Sequence, residues 1–244
     1  MKRFLGFMGL FAGTLIMASS ARADIINDSA NDIDPGIANA GGTLDILSME
    51  VTSDGTDIQF SLTLNGDVSA TDWGKFMIGI ATGNSPGAPT GNGWGRPINL
   101  NAPSADMNYW IGSWVDGGSG SQLWSYNGSS WDGPTSLGAG FSMVAGANSI
   151  LTHTVSLASL GVSAGDTIYF DAYSSGGGVT DSAIDALSNP NISVTGWSDT
   201  YTSSDISEGG PGLNSFTIVP EPSTIGLLGI GVLAICRGLK RKAS

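Results

Sequence analysis

Tryptophan is the side chain in this sequence with the clearest capacity to recognise a ligand. The chain has 7 tryptophans, at positions 73, 94, 110, 114, 124, 131 and 197. An indole presents a flat apolar face that stacks on the apolar face of a sugar ring, and its N–H supplies a polar edge. The composition therefore indicates carbohydrate recognition as the first chemistry to consider.

One set of aromatic residues is expected to form a platform across a hairpin. Asn127-Gly128 favours a two-residue type I′ turn, which places Trp124 opposite Trp131. Side chains alternate along a strand, so Tyr126 shares a face with Trp124. Trp124, Tyr126 and Trp131 are therefore the first candidates for stacking on a glycan. The alternative is that these rings pack as core between two sheets.

A second aromatic set surrounds a long loop. Trp110 and Trp114 share a strand face across Gly112, and they are the second candidates for glycan stacking, with the same core alternative. The stretch from Gly83 to Ser104 is rich in glycine and proline and is predicted to be a loop. The clustering of Trp94, Trp110 and Trp114 around it favours a surface groove, since binding residues concentrate on loops.

Closely spaced carboxylates near the start of the chain suggest a cation site. Asp24, Asp28, Asp32 and Asp34 crowd one segment, and hard oxygen ligands at such spacing suit calcium. Asp28, Asp32 and Asp34 are the candidate ligands, although the segment does not match the EF-hand pattern. The alternative is a solvated acidic arm without a bound ion.

The residues needed for common catalytic sites are scarce. His153 is the single histidine, and it shares a predicted strand face with apolar residues, which favours a hydrogen-bonded, partly buried residue over a catalytic base. The single cysteine, Cys236, lies in an apolar run near the end. No G-x-S-x-G motif is present. The sequence therefore predicts a protein that is not an enzyme, with paired carboxylates of the glycosidase type left open.

The charge of the central region limits its partners. Between residues 24 and 219 the only cations are Lys75 and Arg96, against the 20 acidic residues left when Glu221 is excluded from the total of 21, which gives −18. Such a surface repels phosphate, so nucleic acid and anionic membranes are poor partners. Cations, neutral glycans and an extracellular matrix are the partners that this charge allows.

The elements that position these residues are predicted to be short β-strands. Asp57 to Leu64 alternates apolar and polar residues with period two, which buries one face. About nine or ten strands at this spacing predict an all-β, antiparallel β-sandwich over residues 24–219. The other candidates are Leu44 to Thr52, Lys75 to Thr82, Met107 to Val115, Gln122 to Tyr126, Ser129 to Trp131, Phe141 to Ala145, Ile150 to Leu157, Asp166 to Tyr173 and Leu213 to Val219. Asp181 to Leu187 is predicted as one or two helical turns.

The first 23 residues have the layout of a secretory signal peptide. Lys2 and Arg3 precede a short apolar stretch, and Ala21-Arg22-Ala23 supplies a cleavage site before Asp24. Signal peptidase and the export machinery are therefore predicted partners, and the mature chain is expected to begin at Asp24.

Residues 220–244 read as a sorting segment. Pro220-Glu221-Pro222 stays extended, the run IGLLGIGVLAIC follows, and a basic cluster ends the chain. The apolar run is short for a stable spanning helix. A short transmembrane helix held in the inner membrane until cleavage is favoured, with a permanent anchor as the alternative.

This order of motif, apolar helix and basic cluster resembles the PEP-CTERM sorting signal of exported proteins in Gram-negative bacteria. The resemblance implies recognition and cleavage by an exosortase, a membrane protease. Such proteins often accompany exopolysaccharide and biofilm genes.

A second resemblance covers the central region. The acidic start, the run GGTLDILSMEVTSDGTDIQFSLTLNG and Trp73-Gly74-Lys75 are similar to the opening of family-nine-like carbohydrate-binding and DOMON-type sandwiches. The resemblance implies a ligand groove lined by aromatic residues and, in several members, a structural calcium ion.

Together these features predict an exported, non-enzymatic protein that associates with extracellular polysaccharide. Its expected location after processing is the cell surface or the extracellular matrix. The alternative is a structural surface or biofilm-matrix protein with no specific small ligand, and a glycan hydrolase is the third hypothesis.

Overall fold

A computed structural model describes residues 22–38, 40–70, 73–103, 105–189, 194, 196–204 and 212–219, which belong to a compact unit spanning Ala21–Pro220. Most of the predicted signal peptide, including Ala21, lies outside these residues. So does the predicted sorting segment with Pro220, Glu221 and Pro222. Within the described part of the chain, no helix has the length and apolar character needed to cross a bilayer.

The described residues form fourteen β-strands, joined by turns and four short 3₁₀ segments. The strands are β1 Arg22–Asn27, β2 Ile46–Ser53, β3 Asp57–Leu64, β4 Lys75–Ala81, β5 Ile98–Leu100, β6 Tyr109–Trp114, β7 Gly120–Tyr126, β8 Trp131–Ser136, β9 Phe141–Val144, β10 Ile150–Ser156, β11 Thr167–Ser175, β12 Asp185–Ala186, β13 Tyr201–Ser203 and β14 Asn214–Thr217. The all-β prediction is confirmed for this part of the chain.

Two antiparallel sheets contain twelve of these strands. The first has five strands in the order β1-β2-β3-β10-β9, and the second has the path β12-β11-β4-β6-β7-β8, with β14 also paired to β11. The remaining two strands, β5 and β13, pair in parallel as a separate ribbon. The antiparallel ladders agree with the predicted sandwich.

The core lies between one face of each sheet. In β3 the four apolar residues of the period-two pattern, Ile58, Phe60, Leu62 and Leu64, are fully buried while their neighbours are partly exposed. Phe60 meets Phe170 of β11 edge to face, with ring centroids 5.6 Å apart. Aromatic contacts of this kind add to the burial of apolar area that stabilises the sandwich.

The opposite face of the seven-stranded sheet is also covered. Trp110 is paired with Gly79 across β6 and β4, and its ring stacks on Tyr173 of β11, with centroids 6.0 Å apart. A Cβ atom added to Gly79 would come within 2.8 Å of the Met107 sulfur, so the segment before β6 lies directly on this face. The predicted long loop therefore contains β5 and contributes to a third layer that buries the sheet.

Three sequence predictions are wrong in detail. Asp181 to Leu187 is not helical, because it contains β12 paired with β11. The start of the acidic segment is not a free arm, because Arg22–Asn27, which contains Asp24, forms the edge strand β1 paired with β2. The strand predicted to end at Trp131 begins there instead and continues to Ser136. In each case pairing with a neighbouring strand decided the conformation, and local composition does not reveal that pairing.

Candidate functional site

The hairpin between β7 and β8 differs from the predicted geometry. Tyr126 pairs with Trp131, so four residues rather than two form the loop, and Trp124 does not face Trp131. The Asn127 side chain fixes this loop by accepting hydrogen bonds from the backbone N–H groups of Ser129 and Ser130, at 2.9 and 3.0 Å. An Asx turn of this type competes with the two-residue turn that Asn-Gly favours.

The predicted platform of Trp124, Tyr126 and Trp131 is therefore divided. Tyr126 and Trp131 remain in contact, with ring centroids 5.5 Å apart and planes at 54°. Trp124 sits at an irregularity in the pairing with β8, where a Cβ on Gly93 would approach its ring to 2.4 Å and a Cβ on Gly133 to 3.1 Å. Its indole nitrogen is buried without a partner. Trp124 therefore acts as packing between the hairpin and the long loop.

The second predicted pair is also divided, although its two rings share a strand face. Trp110 is fully buried beneath the third layer, which removes it from any glycan-stacking surface. Trp114 lies at the end of the same strand and is only half-buried. The sequence prediction for Trp110 is wrong because the covering loop extends over the middle of the strand and leaves its end open.

Trp94 and Trp114 together line a cleft at this open end. Their ring centroids lie 6.5 Å apart with the planes at 43°. The cleft has a volume of about 490 Å³ and is also lined by Lys75, Arg96, Asp116, Gln122, Gly177 and Val179. A volume of this size falls in the range of small-molecule binding sites. We refer to it as the Trp94–Trp114 cleft.

Both indoles of the cleft rest on glycine. A Cβ atom on Gly112 would lie 2.3 Å from ring carbon Cζ2 of Trp94, and one on Gly120 would lie 2.5 Å from Cζ2 of Trp114. The Trp94 Nε1 donates a hydrogen bond to Oε1 of Gln122 at 3.3 Å. The missing side chains at Gly112 and Gly120 let each ring lie close to the sheet backbone, which holds the aromatic surface in place.

The two cations of the central region both line the Trp94–Trp114 cleft. Lys75 Nζ lies 3.2 Å from Oδ1 of Asp116 and also donates to the backbone carbonyl of Trp73 at 3.1 Å. Arg96 Cζ lies 5.5 Å from the centroid of the Trp94 ring, within the range of a cation–π contact. The cleft thus combines two aromatic faces with a polar rim.

The guanidinium of Arg96 is engaged in hydrogen bonds that support the cleft. It is buried, and its guanidinium donates to Ser175 Oγ at 2.7 Å, to the carbonyl of Asp181 at 3.0 Å and to the carbonyl of Gly176 at 3.2 Å. Burial lowers the pKa of Arg96, and the nearby Asp181 charge opposes that shift. The side chain ties the long loop to the end of β11.

The predicted calcium ligands do not all come together. Asp28 and Asp32 each place a carboxylate oxygen near one of Asp185, all within 4.8 Å of one another. Asp34 is outside this group, and its Oδ1 instead accepts a hydrogen bond from the N–H of Gly36 at 2.7 Å. Sequence reasoning missed Asp185 because it is distant in the chain and lies in the segment predicted as helical.

His153 lies in the core rather than at a cleft. The side chain is fully buried, and its ring centroid is 5.2 Å from that of Phe141. Burial lowers the pKa of His153 to about 4, so the imidazole is neutral at neutral pH. The predicted burial is confirmed, but the side chain is fully rather than partly buried, and neither ring nitrogen has the expected hydrogen-bond partner among the described residues.

A solved structure aligns only weakly with this chain. A structure from work on pH-induced modulation of Streptococcus parasanguinis adhesion by Fap1 fimbriae aligns with 66% of this chain and 78% of its own, at 12% identity and a TM-score of 0.25. A likeness at this level carries no argument about function. No curated protein matches the sequence.

The C-terminal segment matches a known protein-sorting motif. Residues 219–242 match the PEP-CTERM protein-sorting motif. The chain thus carries a PEP-CTERM sorting motif, and motifs of this kind imply export in Gram-negative bacteria and recognition by exosortase.

Proposed function

We propose that this exported protein binds a neutral extracellular glycan, without chemical conversion, in the Trp94–Trp114 cleft. The observation that supports the proposal is the pair of half-buried indoles, each resting on a glycine, in a cleft of about 490 Å³. Rings held in this way lose little conformational freedom when a sugar stacks on them, which favours affinity. Gln122, Lys75 and Asp116 provide the donors and acceptors that hydroxyl groups need.

The charges favour a neutral glycan over an acidic one. Lys75 is paired with Asp116, and Arg96 already bonds to Ser175 and two backbone carbonyls. Neither cation is therefore free to bind a uronic acid or a sulfate. The surrounding region has a net charge of −18, and this charge repels anionic polymers.

The test is retention of the purified exported protein on insoluble polysaccharides. Neutral β-glucans such as cellulose and curdlan are compared with alginate as the acidic polymer. We expect the wild-type protein to be retained by a neutral glycan. The Trp114→Ala variant removes one stacking face, and we expect retention to fall by a factor of about 10 or more, since stacking on an aromatic ring contributes on the order of 1–2 kcal/mol.

Trp131→Ala is the matched control, because Trp131 is also a half-buried tryptophan of the same sheet but lies outside the cleft. It should leave retention unchanged. Equal loss in both variants, or unchanged retention in a correctly folded Trp114→Ala variant, contradicts the cleft as the binding site. Retention by alginate alone contradicts the neutral-glycan assignment.

The same measurement separates the competing functions. A structural surface or matrix protein without a specific ligand would show no saturable retention on any of these glycans. A glycan hydrolase would release reducing sugar from the bound polymer. Asp116 is the carboxylate among the residues lining the cleft, and it is paired with Lys75. A hydrolase of the usual type needs two such groups, so we expect no release.

The final location is part of the proposal. We propose that signal peptidase cuts before Asp24, that the C-terminal helix anchors the chain in the inner membrane in transit, and that exosortase then releases it to the cell surface or matrix. Intact mass of the protein recovered from cells measures both cuts together. A mass that retains residues 220–244 would instead support a permanent anchor.

A further inference from the structure

Three aspartates from two sheets converge at one point of the fold. Asp28 follows β1, Asp32 lies in the next turn, and Asp185 begins β12. One carboxylate oxygen from each lies within 4.8 Å of the others. Since β1 belongs to the five-stranded sheet and β12 to the seven-stranded sheet, the cluster lies where the two sheets meet.

Several oxygens of this cluster are buried without a hydrogen-bond donor. Asp28 Oδ2 and both oxygens of Asp32 are in this state. Asp28 Oδ1 accepts from the N–H of Ser29 at 2.8 Å. The carboxylate of Asp185 accepts from the N–H groups of Ile46 and Ala186, at 2.6 and 2.8 Å. A buried carboxylate oxygen with no partner is costly unless a proton or a cation neutralises the group.

A fourth buried carboxylate, that of Asp45, lies near the cluster and also has an oxygen without a partner. Its side chain is fully buried, and its Oδ2 accepts hydrogen bonds from the N–H of Asn31 and from Nδ2 of Asn65, each at 2.8 Å. Its Oδ1 is buried and has no partner. The negative charge of Asp45 acts on Asp28, Asp32 and Asp185 alike. A fourth carboxylate thus adds to the charge of the other three.

Neither Lys75 nor Arg96 neutralises the cluster. Lys75 is paired with Asp116, and Arg96 is bound to Ser175 and two backbone carbonyls. Burial, with a smaller contribution from neighbouring carboxylates, raises the pKa of Asp28 to about 8. Burial likewise raises the pKa of Asp32 to about 6 and that of Asp185 well above its usual value. Burial of these carboxyl groups therefore favours either their protonation or a bound cation.

We propose that Asp28, Asp32 and Asp185 bind a calcium ion, and that the buried charge of Asp45 adds to the negative potential at the site. The three aspartates supply hard oxygen ligands, which calcium takes at about 2.3–2.6 Å in flexible geometries. Oxygens up to 4.8 Å apart fit opposite sides of such an ion. Magnesium needs near-ideal octahedral ligands at about 2.0–2.1 Å and retains several waters, so it fits a site built from protein oxygens less well.

The ion would hold the first strand of the sandwich against the second sheet. The N–H of Ile46, at the start of β2, already bonds to Asp185 across the junction. Calcium bound by Asp28 and Asp185 adds a second connection, between the end of β1 and the edge strand β12. Sites of this kind in extracellular modules bind at about 0.1–1 mM, a concentration available outside the cell.

The test uses the purified exported protein, stripped with EDTA and returned to calcium. Isothermal titration with calcium chloride should show saturable binding. Thermal unfolding should shift upwards by roughly 5 °C in saturating calcium, because an ion that binds only the folded state stabilises it by mass action. Magnesium at the same concentration should give a smaller shift.

Asp32→Asn is the most informative variant. No other residue of the described structure donates a hydrogen bond to the Asp32 carboxylate, so the isosteric amide removes charge and breaks no hydrogen bond to a neighbour. We expect the variant to lose the calcium shift yet to melt at the same temperature as wild type, or higher, in EDTA. Asp34→Asn is the matched control in the same segment, and it should retain the full calcium shift.

Three outcomes would overturn the site: no heat and no thermal shift with calcium, an equal or larger shift with magnesium, or a calcium shift that survives Asp32→Asn. Glycan retention is measured separately in calcium and in EDTA. A negative calcium result therefore does not decide whether the cleft binds glycan. A negative retention result likewise does not decide whether the aspartates bind calcium.

Discussion

The indole of Trp94 lies directly over Gly112, where a Cβ atom would approach ring carbon Cζ2 to 2.3 Å. Trp94 belongs to the long loop and Gly112 to the middle of β6, so this contact brings the loop onto the sheet. It also holds Trp94 near Trp114, which shares a face with Gly112. The aromatic cleft therefore depends on an absent side chain as much as on the rings themselves.

Gly112→Ala should disrupt the cleft from beneath. The added methyl group cannot fit below the Trp94 ring, so the ring and its loop must move, at a cost of about 1–3 kcal/mol in the free energy of unfolding. We expect reduced stability in urea unfolding and weaker retention on the neutral glycan. Gly196→Ala is the control, since the nearest atom to its added Cβ is 3.6 Å away. Normal retention by Gly112→Ala would contradict this view of the cleft.

Arg96→Met should destabilise the domain even though it removes a charge. The substitution keeps an unbranched apolar stem but removes the guanidinium, so the carbonyls of Gly176 and Asp181 lose their donor, which costs about 3 kcal/mol. Arg96→Lys keeps the charge but cannot reproduce the forked geometry, and we expect an intermediate loss. Urea unfolding of the three proteins gives the ranking. A stable Arg96→Met variant would show that Arg96 does not support the loop.

His153 should make the protein less stable in mild acid. Its pKa is lowered to about 4 by burial, whereas the unfolded chain binds the same proton near pH 6.5. As the pH falls from about 6.5 to about 4, the unfolded state gains the proton first, so the free energy of unfolding decreases by up to roughly 3 kcal/mol. No further loss from this residue is expected below the folded pKa.

His153→Leu isolates this contribution, because His153 is the single histidine of the chain. The free energy of unfolding of the wild type minus that of the variant should decrease as the pH is lowered from 6.5 to 4. Chemical unfolding at several pH values measures that difference and cancels the titration of the aspartates. A difference that does not vary with pH would contradict the buried, neutral imidazole.

The sequence was most informative where the signal is local. The strand Asp57–Leu64 was predicted with the same bounds, because its period-two pattern fixes both the conformation and the buried face. The sorting motif was likewise evident, since its proline motif, apolar run and basic cluster are adjacent in the chain. Composition alone also showed that Lys75 and Arg96 are the only cations between residues 24 and 219.

The sequence was least informative where two distant segments meet. Trp110 and Trp114 are equivalent in the strand pattern, yet the covering loop buries Trp110 and leaves Trp114 at the cleft. The Asp34 carboxylate accepts a hydrogen bond from the nearby backbone N–H of Gly36. The Asp185 carboxylate instead lies within 4.8 Å of that of Asp28, across the junction of the sheets. Residue type and alternation are local properties of the chain. Which face is covered, and which carboxylates meet, depends on sheet order and loop path, and only the tertiary structure decides those.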